Sequence, residues 1–214
     1  MGRENKKENI ARLNRETILS AAESLFTDKG FINTTIDDIS QKSEYSRRTI
    51  YSYFKSKEEI MQQIVLKGLT ELNTDIKMLI DKKSDFIQTY FSICKAMTKY
   101  KLKNPHSSDS VNNFKPGEFD FASLSQTVKD IFKTGNEINN TLEIFLEYGK
   151  KQGIVINDID SKKTVFIIWS GINSLIDMVE QKGDFIAMQF NTTKEDFLKY
   201  GFRQIINSIL EVRI

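Results

Sequence analysis

Apolar residues recur at steps of three and four along most of the chain, a pattern that predicts amphipathic helices. The first stripe covers about Arg15 to Asp28 and consists of Ile18, Leu19, Ala22, Leu25 and Phe26. Gly30 is suited to the left-handed conformation just beyond a helix end, and Phe31 can fold back on the last turn. Only two prolines and ten glycines interrupt the chain. The pattern therefore favours an all-α protein.

Two shorter helices are predicted next, with a tight turn between them. Thr35 is suited to cap the first, because its hydroxyl can accept a hydrogen bond from the free amide near Asp38. Ser46 is suited to cap the second, which runs to about Phe54. Such a pair of helices with a basic exposed face is typical of a helix-turn-helix, whose second helix is sized to enter a major groove of DNA.

The charge distribution supports the same interpretation, although the formal net charge of +2 does not by itself indicate a nucleic-acid partner. From Lys42 to Lys57 the chain has five basic residues and a single acidic one, Glu44. The N-terminal segment, residues 1–14, is also rich in basic residues and predicts a flexible arm that could add contacts to DNA.

Helical periodicity continues to the C-terminus and predicts about nine helices in two domains. Ser56 is suited to cap a long helix that ends near Asp81, and one helix or two could cover Ser123 to Gly153. A loop is predicted over Asn104 to Gly117. The expected parts are a basic arm (1–14), a three-helix DNA-binding domain (15–56), a connecting helix (57–81) and a helical ligand-binding and dimerisation bundle (82–214).

The last two helices are predicted over 160–181 and 193–212, and both are apolar on more than one side. A helix with two apolar faces needs two partners, so we expect the spare faces to meet their counterparts in a two-fold dimer. The residues expected at this interface are Trp169, Ile172, Leu175, Ile176, Phe202, Ile205, Ile206 and Ile209.

Aromatic residues at helical spacing in the second domain can fill a bundle interior or line an apolar pocket, with Tyr and Trp as orienting groups. The candidates are Phe86, Tyr90, Phe91, Met97, Tyr100, Phe132, Phe145, Tyr148 and Trp169. A small apolar or amphipathic effector is the ligand that such a pocket would hold.

Residues for catalysis or metal binding are scarce. Cys94, the only cysteine, lies among apolar residues, and His106, the only histidine, lies in the predicted loop. Neither a Cys-His pair nor a usual zinc site can therefore be assembled. We expect no enzyme activity, no catalytic residue, no metal and no cofactor. The single thiol and the lack of a long apolar run favour a cytoplasmic protein without membrane contact.

A set of positions across the predicted helix-turn-helix closely resembles the signature of the tetracycline-repressor (TetR) family. The matching residues are Gly30, Phe31, Thr34, Thr35, Ile36, Ile39, Ser46, Thr49, Ile50, Tyr51, Tyr53, Phe54, Ser56, Lys57, Glu58 and Ile60. The resemblance covers only about residues 12–62. It implies a dimeric, all-helical repressor that binds a palindromic DNA operator and releases it when a small molecule enters the C-terminal domain.

The resemblance also implies residue roles. Residues that resemble the family's phosphate contacts are Thr35, Ser46, Tyr51 and Lys57, and those at base-facing positions are Arg47, Arg48, Thr49 and Ser52. The chemistry agrees, because an arginine can read guanine O6 and N7 as a bidentate pair.

The sequence departs from the family pattern at Ser40, where Ala is usual, and over residues 43–45, where Ala-Gly-Val is favoured. If the turn needs positive φ at Glu44, a residue other than glycine costs on the order of 1 kcal/mol there. Two alternatives stay open: a regulator whose second domain only dimerises or binds a protein, and an activator or architectural DNA-binding protein.

Overall fold

The structure, a computed structural model, describes residues 2–82, 85–104 and 121–214, and these form eight α-helices and one turn of 3-10 helix. The α-helices are α1 (Gly2–Lys29), α2 (Ile36–Ser43), α3 (Arg47–Tyr53), α4 (Lys57–Asp81), α5 (Phe86–Lys103), α6 (Gln126–Lys151), α7 (Ser161–Phe190) and α8 (Lys194–Asn207), and the 3-10 turn is Phe121–Ser123. In this part of the chain β-pairing is limited to an isolated antiparallel bridge between Val155 and Leu210. The all-α prediction is confirmed.

Helix α1 begins at Gly2, well before the start near Arg15 that the apolar stripe predicts. Residues 5–10 are exposed, so this part of the helix has no buried side to mark it in the sequence. The Lys, Glu and Asn side chains of residues 5–10 can remain solvated on a helix. Residues 2–14 therefore extend α1, and the prediction of a separate arm is corrected for them.

The predicted helix ends around α1 and α2 are confirmed. Gly30 adopts φ 82°, and its amide donates to the carbonyl of Phe26 at 3.0 Å. The ring of Phe31 packs edge-on against that of Phe26, with centroids 5.3 Å apart. Thr35 then begins α2 through a reciprocal capping box with Asp38. The chain thus reverses direction between two helices through local contacts alone.

Tertiary contacts divide the chain into two units. The first comprises the described residues up to Leu69 and those from Asn104 to Phe132. Its core gathers side chains from α1 to α4 and one from α6: Ile18, Ala22, Phe26, Ile39, Ile50, Phe54, Ile60, Met61, Ile64, Val65 and Ile131. The inward residues of the helix-turn-helix thus hold α3 against α1 and α4.

The second unit comprises Thr70 to Lys103, without residues 83 and 84, and Lys133 to Ile214. The question of one helix or two after Ser123 is settled here, because α6 runs unbroken through Gly135. A single helical glycine costs about 1 kcal/mol relative to alanine, which neighbouring apolar residues such as Ile138 can offset by burial.

The last two helices have other ends than predicted. Helix α7 continues past Gln181 to Phe190 and is closed by Asn191 in the left-handed conformation. Helix α8 ends at Asn207, short of Val212, because the following residues pair with the segment between α6 and α7. The amide of Ile156 donates to the carbonyl of Ile209 at 2.9 Å, and that of Glu211 donates to Ile154 at 3.0 Å.

The predicted loop after Asn104, with His106, lies outside the described residues. Among those described, no helix is long and apolar enough to cross a membrane.

Candidate nucleic-acid interface

Helix α3 has a buried face and a polar face. Ile50 is fully buried and Phe54, just after the helix, nearly so. On the opposite side, Arg47 and Arg48 are exposed, and so are Tyr51 and Ser52. Thr49 is half-buried and Ser46 is exposed at the helix start. The sequence-predicted base-facing residues therefore share one side of a helix whose other side is fixed in the core.

The cap of α3 uses two of the predicted contact residues. The hydroxyl of Ser46 accepts from the amide of Thr49 at 3.1 Å and lies 2.9 Å from the hydroxyl of Thr49. Ser52 donates to the carbonyl of Thr49 at 2.6 Å. These bonds fix the first turn of α3, and each hydroxyl oxygen still has a lone pair or can rotate toward a new partner.

Thr35 and Asp38 form the corresponding cap of α2. The hydroxyl and amide of Thr35 both donate to Oδ2 of Asp38, at 2.6 and 2.7 Å. Lys29 approaches the same carboxylate at 2.8 Å. The hydrogen bond from Lys29 and then those from Thr35 hold the pKa of Asp38 well below its usual range. The carboxylate is therefore charged beside the N-terminus of α2, where a negative charge is favourable.

Lys57 has a structural role that its sequence position does not reveal. Its ammonium donates to the carbonyls of Phe31 and Thr34, both at 2.7 Å, and lies 4.3 Å from the centroid of the Phe31 ring. Two of its three N–H donors are thus used within the chain. Lys57 therefore ties the start of α4 to the turn between α1 and α2.

The departures from the family pattern lie in the C-terminal part of α2 and in the turn that follows it. Glu44 adopts φ 60° and ψ 19°, so the expected left-handed strain at the usual glycine position is present. Ser40 donates to the carbonyl of Tyr45 at 2.6 Å, a hydrogen bond that the usual Ala cannot make. The substituted turn therefore has a polar tie of its own.

A chain of hydrogen bonds then connects this turn to α1 and α3. The hydroxyl of Tyr45 donates to Oδ1 of Asn14 at 2.7 Å, and Nδ2 of Asn14 donates to the hydroxyl of Tyr53 at 3.0 Å. Arg15 donates to the carbonyl of Tyr53 at 3.1 Å and lies over the ring of Phe54. Sequence reasoning missed Asn14 and Arg15 in this role, because no spacing rule relates them to residues nearly forty positions away.

Arg47 forms an ion pair that the sequence pattern also does not predict. Its Nε and Nη2 atoms contact the two carboxylate oxygens of Asp37, in the first turn of α2. Both side chains are more than half exposed. Arg48, the next residue, is exposed and makes no ion pair with any described residue. The two arginines therefore differ in their partners before any DNA is bound.

A small apolar cavity of about 40 Å³ lies in the second unit. It is lined by Tyr90, Ile93, Met97, Leu142, Phe145, Leu146, Val165, Ile168, Trp169, Ile172 and Ile206. The hydroxyl of Tyr90 donates to the carbonyl of Phe202 at 2.8 Å, and Trp169 is the other lining residue whose side chain has an N–H or O–H group. Burial raises the pKa of the neighbouring Cys94 thiol to about 12, so this cysteine is inert at neutral pH.

Four of the nine predicted pocket residues line this cavity: Tyr90, Met97, Phe145 and Trp169. Phe86 is instead stacked behind Phe145, with ring centroids 4.4 Å apart, and Phe91 packs edge-on against Tyr90. Tyr148 is about half exposed, and neither Tyr100 nor Phe132 lines the cavity. These five residues do not line this cavity, because helical spacing does not tell which side of a packed aromatic ring faces a void.

The residues predicted at a dimer interface differ in their burial within the chain. Five of its eight residues are buried in the chain's own core, namely Ile172, Ile176, Phe202, Ile206 and Ile209. Four of these five residues lie on α7 and α8, which pack against each other. Trp169, Leu175 and Ile205 are half-buried. The exposed apolar side chains of α7 are others: Phe166, Ile167, Met178, Phe185, Met188 and Phe190.

Comparison with known proteins agrees with this site. Residues 18–64 match the sequence family described as "Bacterial regulatory proteins, tetR family". This range contains all of α2 and α3 and most of the first unit's core. Residues 18–64 are therefore similar to the DNA-binding region of this family.

Two relatives match over the same region. One is the uncharacterized helix-turn-helix-type transcriptional regulator YfiR of Bacillus subtilis, 44% identical over 54 residues, which are 25% of this chain and 26% of that protein. The other is IcaR of Staphylococcus aureus, a negative transcriptional regulator of the biofilm operon icaADBC. It is 33% identical over 72 residues, 34% of this chain and 38% of its own length. The chain thus matches well under half the length of both relatives, and both are described as regulators and not as enzymes.

The fold has solved counterparts over nearly the whole chain. The TetR-family transcriptional regulator PfmR of Thermus thermophilus superposes with a TM-score of 0.65 at 21% identity, over 88% of this chain and 96% of the other. The helical architecture beyond residue 64 is therefore that of the TetR-like fold.

Proposed function

We propose that the protein is a sequence-specific DNA-binding transcriptional regulator that acts in the cytoplasm as a dimeric repressor. The observation that carries this proposal is helix α3, whose apolar side is fixed in the core and whose exposed side carries Arg47 and Arg48. A short helix of this kind is sized to read base edges in a major groove, while surrounding hydroxyl and ammonium groups contact phosphates. The repressor role is supported by the similarity to IcaR, a negative transcriptional regulator.

DNA binding is tested by fluorescence anisotropy with a duplex from upstream of the protein's own gene and a scrambled duplex, each at low and high salt. Preferential binding of the upstream duplex, weakened by salt, is the expected result. Arg48→Ala should lower the affinity for the preferred duplex by about 1–3 kcal/mol. Arg203→Ala is the matched control, because Arg203 is exposed on α8 outside the first unit. An equal loss of affinity in both variants would argue against α3 as the helix that contacts the bases.

Dimerisation through α7 is the second part of the proposal. Ile167, Met178 and Phe185 lie 11 and 7 residues apart, so they share one side of the helix, and each is exposed. The small Ser174 lies between them on the same side and leaves room for a second helix. Exposed apolar side chains that share one side of a helix are typical of a surface that contacts another protein. Two copies related by a two-fold axis would cover it.

Sedimentation measurements test the dimer. Phe185→Glu places a charge in the stripe and should shift the protein from dimer to monomer, whereas Ile144→Glu, at an equally exposed position of α6, should not. A monomeric wild-type protein, or a dimer unaffected by Phe185→Glu, would contradict this assignment.

Effector binding is the third part, supported by the apolar cavity of the second unit. At about 40 Å³ the cavity is far smaller than pockets that hold drug-sized ligands, so an effector would have to select a state with a larger cavity. Its effect on DNA affinity cannot exceed the difference between its affinities for the two states. An apolar or amphipathic molecule fits the lining best.

Trp169 is the only tryptophan of the chain and lines the cavity, so its fluorescence reports on this site. Titration with decanol and with naphthalene should change the Trp169 emission and release the preferred duplex. Val165→Phe, which fills the lining, should reduce both responses, and Phe166→Leu at the exposed neighbouring position should not. DNA binding without any response would favour the alternative regulator, whose second domain only dimerises or binds a protein.

A further inference from the structure

The ion pair between Asp37 and Arg47 connects the two helices of the helix-turn-helix at their N-termini. Asp37 lies in the first turn of α2, and Arg47 is the first residue of α3. The contact is bidentate, because Nε of Arg47 meets one carboxylate oxygen and Nη2 meets the other. Such a pair holds a guanidinium plane in a definite orientation, which a single contact does not.

Asp37 contacts one edge of the Arg47 guanidinium, and this determines which N–H donors of Arg47 remain available to another partner. Arginine has five N–H donors in a planar fork. The pair with Asp37 uses the N–H of Nε and one N–H of Nη2, and both lie along one side of the plane. The end of the fork, with one N–H each on Nη1 and Nη2, stays open. These are the two donors that a bidentate contact to guanine O6 and N7 requires.

We propose that Asp37 is a positioning residue that holds Arg47 ready for end-on recognition of a guanine and so sets base preference at one position of each half-site. The inference rests on the proposed function, since it assigns the specificity of the same helix. Preorganisation is the physical reason, because a side chain already held in its bound orientation loses less rotamer entropy when it meets a base. A freely rotating arginine would also meet phosphates, which carry no sequence information.

The charge of Asp37 acts in the same direction. A carboxylate next to the DNA-facing side of α3 repels phosphates and partly neutralises Arg47, so it weakens binding to every sequence. Binding to the correct site regains this loss through the guanine contact. Asp37 therefore lowers nonspecific affinity and raises the difference between correct and incorrect sites.

The experiment is selection of duplexes with a randomised core by the full-length protein, followed by affinity measurements on the enriched site and its single-base variants. The variants are Asp37→Asn, which keeps the shape of the side chain, and Arg47→Ala. Asp28→Asn is the matched control, because Asp28 is an exposed carboxylate of the same unit that pairs with Lys42 and not with Arg47. Thermal unfolding of each variant verifies that it folds.

The wild-type protein should enrich a guanine at one position per half-site. Arg47→Ala should reduce the preference for that guanine roughly 5- to 100-fold. Asp37→Asn should reduce the preference several-fold at the same position only, and bind scrambled DNA more tightly. In Arg47→Ala protein, adding Asp37→Asn should cause no further loss of preference, because the two residues act as one unit.

Asp28→Asn should leave all base preferences unchanged. The proposal is overturned if Asp37→Asn strengthens binding to all duplexes alike with the guanine preference intact, or if Arg47→Ala changes no preference. A wild-type protein that enriches no sequence contradicts the proposed function itself, and so differs from either of these results.

Discussion

The two units of the protein build their candidate sites from opposite kinds of side chain. In the first unit the site is an exposed polar surface, and caps, ion pairs and a chain of hydrogen bonds fix it. In the second unit the site is a small cavity enclosed by apolar side chains. A hydrogen bond requires a particular donor at a particular place, whereas apolar volume can be supplied by many residue combinations. The difference is a physical reason why the match to the family, residues 18–64, lies within the first unit.

The largest change in stability is expected from Phe54→Ala. This variant tests how far the polar side of α3 depends on the apolar core beneath it. Phe54 is 1% exposed and supports Arg15 on its ring. Its removal should lower the free energy of unfolding by about 3–5 kcal/mol in urea denaturation. Tyr51→Ala, on the exposed side of the same helix, should change it by less than about 0.5 kcal/mol. Similar losses for both would mean that α3 is not held by its buried side.

A pair of glycines in α6 tests the tightness of the second unit. A Cβ at Gly149 would lie 2.6 Å from side-chain carbons of both Phe86 and Val155, whereas a Cβ at Gly135 meets nothing within 4 Å. Gly149→Ala should therefore lower the free energy of unfolding by about 1–3 kcal/mol, because the added methyl group overpacks the site. Gly135→Ala should stabilise by about 0.5–1 kcal/mol through helix propensity. Thermal unfolding of the two variants should move in opposite directions, and a common direction would contradict the packing.

The strained backbone at Glu44 predicts a smaller change in the free energy of unfolding when this residue is substituted. Glu44→Gly should stabilise by up to about 1 kcal/mol, because glycine adopts the left-handed conformation without a steric cost. Glu44→Ala retains the strain and removes only the charge, so it serves as the control. Equal unfolding free energies for the Gly and Ala variants would show that this turn is not strained.

The smallest effect concerns pH and the cap of α2. The folded pKa of Asp38 is lowered by Lys29 and Thr35, so its contribution to stability is present above the ordinary carboxyl pKa of about 4. That contribution is lost as the pH falls below this value toward the folded pKa. Asp38→Asn should therefore lower the melting temperature at neutral pH, and the difference from wild type should shrink in acid. A difference independent of pH would assign the effect to the amide and not to the charge.

The sequence could predict features of the molecule that depend on neighbours three or four positions away. The caps at Thr35 and Ser46 and the turn at Gly30 are confirmed, because the donor and acceptor belong to one helical turn. The all-α fold follows from apolar periodicity for the same reason. The exposed position of Arg47 and Arg48 opposite Ile50 also follows from helical spacing.

Partners across the fold could not be predicted in this way. The contacts of Asn14 with Tyr45 and Tyr53 join residues far apart in the sequence, and the end of α8 depends on a bridge to residue 155. The cavity includes aliphatic residues such as Leu142 that no aromatic pattern indicates.

The sequence by itself determined the all-α class, the caps of α2 and α3 and the basic face of α3, because these depend on local hydrogen bonding and on the 3.6-residue period. Only the tertiary structure decided the partner of Arg47, the use of Lys57 as an internal tie, and which apolar side chains of α7 are covered. The physical reason is that an ion pair or a buried face depends on how separate helices meet. That arrangement is set by the packing of all side chains together.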